Sequence, residues 1–178
     1  LEVGMDKKGE INDLTKITKP DLGVITNISY AHLKNFRNIS QIAKAKAEIM
    51  NNIKKDGHII LNKDDKFYNY HKKIALKKKL KIISFGIKSK SPTIKLIKIK
   101  KMKEKFEIFI NANGKQVSFY SLNDNESNLY NILTTIAVIN LYLNIKVLKK
   151  DIFLDFKTPS GRGDIVKIKI KNKNVFLV

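Results

Sequence analysis

Apolar positions in the first half of the chain come in short runs separated by amphipathic stretches, the alternation expected of strands and helices in turn. Leu1 to Val3 reads as the end of a strand, and Gly9 to Ile17 as a short helix stopped by Pro20. The near-continuous apolar run LGVITNI, Leu22 to Ile28, predicts a buried parallel strand. Ser40 is placed to cap a helix running to about Ile53 and ended by Gly57. HIILN, His58 to Asn62, predicts the next strand; Asp64 opens a basic helix to about Lys79; KIISFG, Lys81 to Gly86, gives a further strand. Strands and helices alternating in this way imply an α/β fold, a mostly parallel sheet with helices on its faces.

The texture changes after Ser91. Residues 93–120 alternate Ile and Phe with Lys and Glu at period two, and Asn113-Gly114 is a hairpin turn signal. This stretch predicts a small antiparallel β excursion. A helix is expected from about Glu126 to Leu143 and a shorter one near Lys149 to Phe156. The chain closes on strand-like DIVKIKI, a KNKN turn and VFLV. No repeat or flexible linker divides the 178 residues, a length that suits one domain.

Composition narrows the function classes. Apolar residues make up 43%, too many for a disordered chain, and the absence of cysteine removes disulfide frameworks and thiolate metal sites. No apolar run approaches the roughly 20 residues of a membrane span, and the opening LEVGMDKKGE has no signal-peptide pattern. The lack of an initiator Met and the abrupt final VFLV lead us to expect a fragment of a longer protein. The formal charge of +20 points at first to a nucleic-acid binder. Yet only Arg37 and Arg162 among the 36 basic residues are Arg, the side chain best suited to bidentate base and phosphate contacts. A solvated lysine coat is the favoured reading, with no specific nucleic-acid partner and at most a weak affinity for polyanions.

Several residues could carry chemistry. Glu2 ends the first strand, and His32 lies just past the carboxyl end of the next one, the rim where open α/β sheets bind ligands. A carboxylate and an imidazole there could share a divalent metal, although each is also an ordinary surface or structural residue. Lys46 falls about 40° from Ile42 and about 20° from Ile53 on a helical wheel, along the apolar stripe, whereas Lys44 points away from it. Burial lowers an amine's pKa, and a neutral amine can take up carbon dioxide as a carbamate, turning a cation into a metal-binding anion. The alternative is a lysine snorkelling to solvent. Asn128 and Asn131, three apart in the first turn of a helix, could pair with adenine or serve as caps. Arg162, in PSGRGDI, suits a phosphate or a solvent-exposed turn.

Taken in order, LEVGMDKKGEI, PDLGVITNISYAHLKNF, IAKAKAEI, LNKDD, ESNLYNIL and GRGD resemble the central, ATP-binding domain of the Mur ligases, a P-loop-NTPase-like fold. The likeness runs from Leu1 to Val178 and is densest over the first 65 residues. The pairing of GMDKKGEI with AHL favours the branch that adds D-Ala-D-Ala to UDP-N-acetylmuramoyl-tripeptide through an acyl phosphate. The tripeptide-building branch typically shows Ser-Ser-His after the glutamate and Asp-His-Leu-Asp later. The resemblance implies ATP and Mg2+ as cofactors. It implies that Glu2 binds the magnesium at the β- and γ-phosphates, that His32 binds a second magnesium, and that Lys46 supports that ion as a carbamate. Asn128 and Asn131 match adenine-contacting positions and Arg162 a nucleotide-phosphate contact. Ser127 departs from the family, where His usually precedes the Asn, which bears on base recognition. The family also implies a cytoplasmic protein, here expected to be a monomer without membrane insertion. No GxxGK[ST] phosphate loop occurs in the chain, so its P-loop unit and flanking domains are expected elsewhere, and these residues alone are expected to be inactive. A folylpolyglutamate-synthase-like ligase and a basic, non-enzymatic polyanion-binding module are the alternatives.

Overall fold

A computed structural model describes residues 1–30 and 35–156, and the backbone of 166–170 and 173–177. Six strands form one sheet in chain order: β1 (Leu22–Ile25), β2 (His58–Asn62), β3 (Lys81–Gly86), β4 (Ile94–Lys101), β5 (Phe106–Ala112) and β6 (Lys115–Ser121). β1, β2 and β3 run parallel along their whole shared length. β4 joins β3 in parallel over only Phe85↔Ile94 and Gly86↔Lys95, because residues 87–93 are too short a crossover for a longer parallel ladder. It then leads the antiparallel meander β4–β5–β6. Asn113 and Gly114 turn the last hairpin with φ of 51° and 85°, the left-handed pair that the Asn-Gly signal announces. A separate antiparallel pair, β7 (Val166–Ile170) and β8 (Lys173–Leu177), follows the strand-like pattern at the end of the sequence.

Helices α1 (Glu10–Thr18), α2 (Ile39–Ala47), α3 (Tyr68–Lys77) and α4 (Glu126–Tyr142) cover both sheet faces. Successive residues of β2 serve opposite cores, as the pleat requires. Ile59 and Leu61 pack with Ile42, Met50 and Ala75 on one side; Ile60 packs with Phe85, Ile108, Leu133 and Ile136 of the other. The α/β sheet with its antiparallel excursion therefore stands as expected.

Local boundaries differ for identifiable reasons. Residues 1–5 form no strand; β1 has no strand partner on its outer edge among the described residues, and this segment crosses a cavity there instead. β1 stops at Ile25, so Thr26 to Ile28 lies beyond the strand. Asn38, not Ser40, caps α2 through Oδ1, which accepts from Gln41 N at 3.0 Å. α2 tightens to a 3-10 turn over Glu48–Asn51 instead of reaching Ile53. The Asn51 and Asn52 amides are drawn sideways to Asn12, and Asn52 also donates to Thr15 Oγ1 at 2.9 Å. α3 begins at Tyr68, since Asp64 and Asp65 spend their carboxylates on loop backbone instead of on a first helical turn. Residues 151–155 form turns, so the short helix expected near Lys149 to Phe156 is absent, and a 3-10 turn occurs earlier, at Ile145–Val147.

Candidate active site

A cavity of about 730 Å³ opens along the outer edge of β1 and past its carboxyl end. Glu2, Val3 and Met5 line one wall; Val24, Thr26 and Lys46 line another. Glu2 and Lys46, singled out separately in the sequence, thus face one space. Glu2 is exposed.

Lys46 takes the position its helical phase predicts. Ile42, Ala45 and Ala47 around it are buried, Lys46 itself is half-buried, and Lys44 is exposed. Burial lowers the Lys46 amine's pKa, against a smaller upward pull from Asp65. Its Nζ donates to the Asn27 carbonyl at 3.1 Å. On the other end of the same peptide group, Ile28 N–H donates to Asp65 Oδ2 at 2.7 Å. A cation on the carbonyl and an anion on the amide hold the Asn27–Ile28 peptide from both sides. Asp65 Oδ1 also accepts from Phe67 N at 2.7 Å, which fixes the carboxylate itself. Behind it, His71 is buried and its Nε2 donates to the Ala43 carbonyl at 3.0 Å. Burial depresses the His71 pKa, only partly offset by that carbonyl and by Asp65.

His32 lies within residues 31–34, outside the described residues, and with it the expected rim shared by Glu2 and His32. Among the described residues no three His, Asp or Glu side chains gather as a ready metal site. The donor chemistry at the cavity nevertheless fits a hard divalent cation in one respect. Glu2 offers a carboxylate, and a carbamate on Lys46 would add oxygen donors in the same space. The ammonium form of Lys46 would instead repel such an ion.

The other candidate cluster is the start of α4. Asn125 caps it, its Oδ1 accepting from Asn128 N at 2.7 Å, so capping does not fall to Asn128 or Asn131. Asn128 is buried, and both its amide hydrogens are taken, by Ser121 Oγ and the Asn123 carbonyl, each at 2.9 Å. Only its Oδ1 remains for a ligand's amino group. Asn131 is exposed, with its amide open to solvent. Ser127 is exposed as well. Arg162 falls in residues 157–165, outside the described residues.

Sequence reasoning passed over the two residues that organise these clusters. The sequence pattern gives Asp64 only the opening of a helix, and Asp65 no part beyond the LNKDD motif. Asp65 serves the cavity side, as above. Asp64 Oδ2 accepts from the backbone N–H of Ile87 and Lys88, and Oδ1 from Ser89 N at 2.6 Å. Tyr130 of α4 donates its hydroxyl to Asp64 Oδ2 at 3.0 Å. Burial would raise the Asp64 pKa, but these donors outweigh it and hold the carboxyl at about 2. The adjacent acidic pair directly after a strand was the signal available.

Comparison with known proteins follows the same lines. Residues 1–139 match the family model of the Mur ligase middle domain. The chain is 34% identical to the UDP-N-acetylmuramoyl-tripeptide–D-alanyl-D-alanine ligase of Rickettsia prowazekii, across 94% of this chain and 37% of that protein. It therefore spans well under half the length of that relative. Among solved structures, MurF from Acinetobacter baumannii superposes with a TM-score of 0.80 at 22% identity, covering 99% of this chain and 37% of that one. MurF ligase from Thermotoga maritima, in complex with ADP, gives 0.72 at 22% identity, covering 93% and 37%. At such identities the two superpositions establish the fold alone.

Proposed function

The chain belongs to the Mur ligase family, its residues 1–139 corresponding to the middle domain, and from that premise we propose that the whole protein adds D-Ala-D-Ala to UDP-N-acetylmuramoyl-tripeptide at the expense of ATP. The observation that carries this reading is the 34% identity, across 94% of the chain, to a relative of that name. ATP phosphorylates the tripeptide carboxylate, and the amine of D-Ala-D-Ala then displaces phosphate from the acyl phosphate. The protein acts in the cytoplasm as a monomer, without membrane insertion and without a specific nucleic-acid partner. Among the described residues no helix is long and apolar enough to cross a membrane.

The cavity beside β1 is the reaction end of the domain. Glu2 and a carbamate on Lys46 would hold Mg2+ there, with His32 the third candidate ligand by family resemblance, and the ion would supply positive charge to offset the phosphate and carboxylate oxygens. Burial favours the neutral amine that carbon dioxide requires. The remaining Nζ–H of a carbamate can keep the bond to Asn27 O, so the modification need not disturb the held peptide. At the nucleotide end, Asn131 and the free Oδ1 of Asn128 would meet the adenine, and Arg162, by family resemblance, a phosphate.

The test is ADP release by the full-length protein with Mg2+. We expect sustained, multiple-turnover release only when UDP-N-acetylmuramoyl-tripeptide and D-Ala-D-Ala are both present, because without the amine the reaction halts at the acyl phosphate. Sustained turnover without D-Ala-D-Ala, or turnover that responds instead to a folate and glutamate, would overturn the assignment. The 178 residues alone, which contain no GxxGK[ST] loop, should release no ADP under the same conditions.

A further inference from the structure

α4 carries the two asparagines assigned to adenine, yet the backbone bonds of a helix do not fix its height or roll over the sheet. Three ties at its first turns, which Asn125 caps, do so: the Asn128 amide anchors it to the end of β6, Lys88 pairs with Glu126 at 2.8 Å, and Tyr130 reaches down to Asp64. The Lys88–Glu126 pair is exposed and contributes little. The Tyr130–Asp64 bond is of another kind. The Asp64 carboxylate is locked by the N–H groups of residues 87–89, and its own N–H is bound to Asn62 Oδ1 at 2.9 Å. The close fit leaves no slack: a Cβ added at Gly86 would meet Asp64 Oδ1 at 3.0 Å. The Tyr130 ring also packs edge-on against Phe85 of β3, with centroids 6.3 Å apart. Residue 130 is one position before Asn131 and two after Asn128, so the tether enters the helix at the turn that presents both asparagines.

We propose that Tyr130 and Asp64 form a strut between the end of β2 and α4, and that they are positioning residues for nucleotide binding without touching the nucleotide. The proposal rests on the assignment of Asn128 and Asn131 to adenine. Removing the hydroxyl frees the helix turn to rock over Phe85, and the asparagines lose their fixed distance from the sheet. None of Tyr130, Asp64 and Phe85 lines the cavity at β1, so binding of the peptide substrates does not depend on the strut.

The experiment uses the full-length ligase and ADP, titrated by calorimetry without the other substrates. Tyr130→Phe should weaken ADP binding by about three- to tenfold, the range that the net contribution of one ordinary hydrogen bond corresponds to. The KM for D-Ala-D-Ala should stay unchanged, and the thermal midpoint should drop by only a few degrees. Asn131→Ala, measured beside it, should weaken ADP binding too. Unaltered ADP affinity in Tyr130→Phe alongside a loss in Asn131→Ala would overturn the strut and leave the adenine site intact. Equal losses for ADP and D-Ala-D-Ala in Tyr130→Phe would reduce it to general structural support. No effect of Asn131→Ala would remove the adenine assignment, and the strut with it.

Discussion

Replacing Lys46 by alanine separates the two roles open to this side chain. Structurally, the substitution deletes one hydrogen bond, from Nζ to Asn27 O at 3.1 Å, and takes a cation away from Asp65. The Asn27–Ile28 peptide keeps its second hold, the Ile28 N–H bond to Asp65 at 2.7 Å. The loss should therefore be about 1 kcal/mol, small against a typical domain stability of about 5–15 kcal/mol. The thermal midpoint should fall by roughly 2–4 °C, and the fold should survive. Catalytically the change is much larger if Lys46 carries a carbamate, because one ligand that would hold the metal beside the reacting phosphate disappears. Losing a single preorganised stabilising group costs about 10²- to 10³-fold in kcat. Lys44→Ala removes an exposed lysine two residues away on the same helix and should change stability by less than about 0.5 kcal/mol and activity hardly at all. ADP release by the full-length protein gives the first readout. Carbon-13 NMR after exchange into labelled bicarbonate gives the second: a carbamate resonance present in Lys44→Ala and missing from Lys46→Ala. Formate or acetate in the buffer should restore part of the lost rate by occupying the vacated space. Equal activity in the two variants would leave Lys46 a snorkelling lysine and refute the argument.

Other consequences are open to direct measurement. Gly57→Ala should destabilise by about 1–3 kcal/mol in chemical denaturation, since a Cβ there would lie 2.8 Å from the carbonyl oxygens of Asp21 and Lys54; a neutral result would mean that the α2–β2 turn yields easily. Leu133→Ala, in the fully buried middle of α4, should cost about 2–5 kcal/mol, and a value under 1 would mean that α4 packs loosely on the sheet. The folded-state pKa of His71 lies below the ordinary 6.5, so between those values the unfolded chain holds a proton that the folded chain lacks. Its contribution is complete above about pH 6.5 and declines as the pH falls below it; urea midpoints at pH 7.5 and 5.5 should show the decline, and His71→Gln should flatten it.

The parts of the fold legible in the sequence were those whose cause is local. KIISFG and HIILN became β3 and β2 residue for residue, and Asn113-Gly114 turned its hairpin, because apolar runs and left-handed turn residues act over a few positions. The side on which Lys46 lies was also legible, since helical phase needs only spacing. Boundaries were lost where a distant partner decides them. Nothing near Ile53 says that Asn51 and Asn52 will turn toward Asn12, 39 and 40 residues earlier, and so end the helix. Nothing beside Asp64 says that its carboxylate will serve Ser89 and Tyr130, 25 and 66 residues away. The same holds for Asn128: its spacing from Asn131 suggested two equal contacts, but Ser121 and Asn123 already occupy one amide.

Those unread aspartates explain how one short segment can serve both ends of the domain. Asp64 and Asp65 are consecutive residues following β2, the middle strand of the parallel set, and their carboxylates serve opposite directions. Asp65 grips the peptide beside Lys46, at the cavity; Asp64 grips residues 87–89 and Tyr130, under the asparagines of α4. The proposed reaction moves a phosphoryl group between a nucleotide and a carboxylate, and it would need its two proposed binding ends at a fixed separation, because misplacement by even about 1 Å can cost 10²-fold in rate. Two adjacent carboxylates on one strand end meet that need more rigidly than two separate loops would, since the distance between them is set by a single peptide unit. The cost of placing them there is the desolvation of two neighbouring anions. Backbone N–H donors at 2.6–2.7 Å on each offset it without bringing in a second cation.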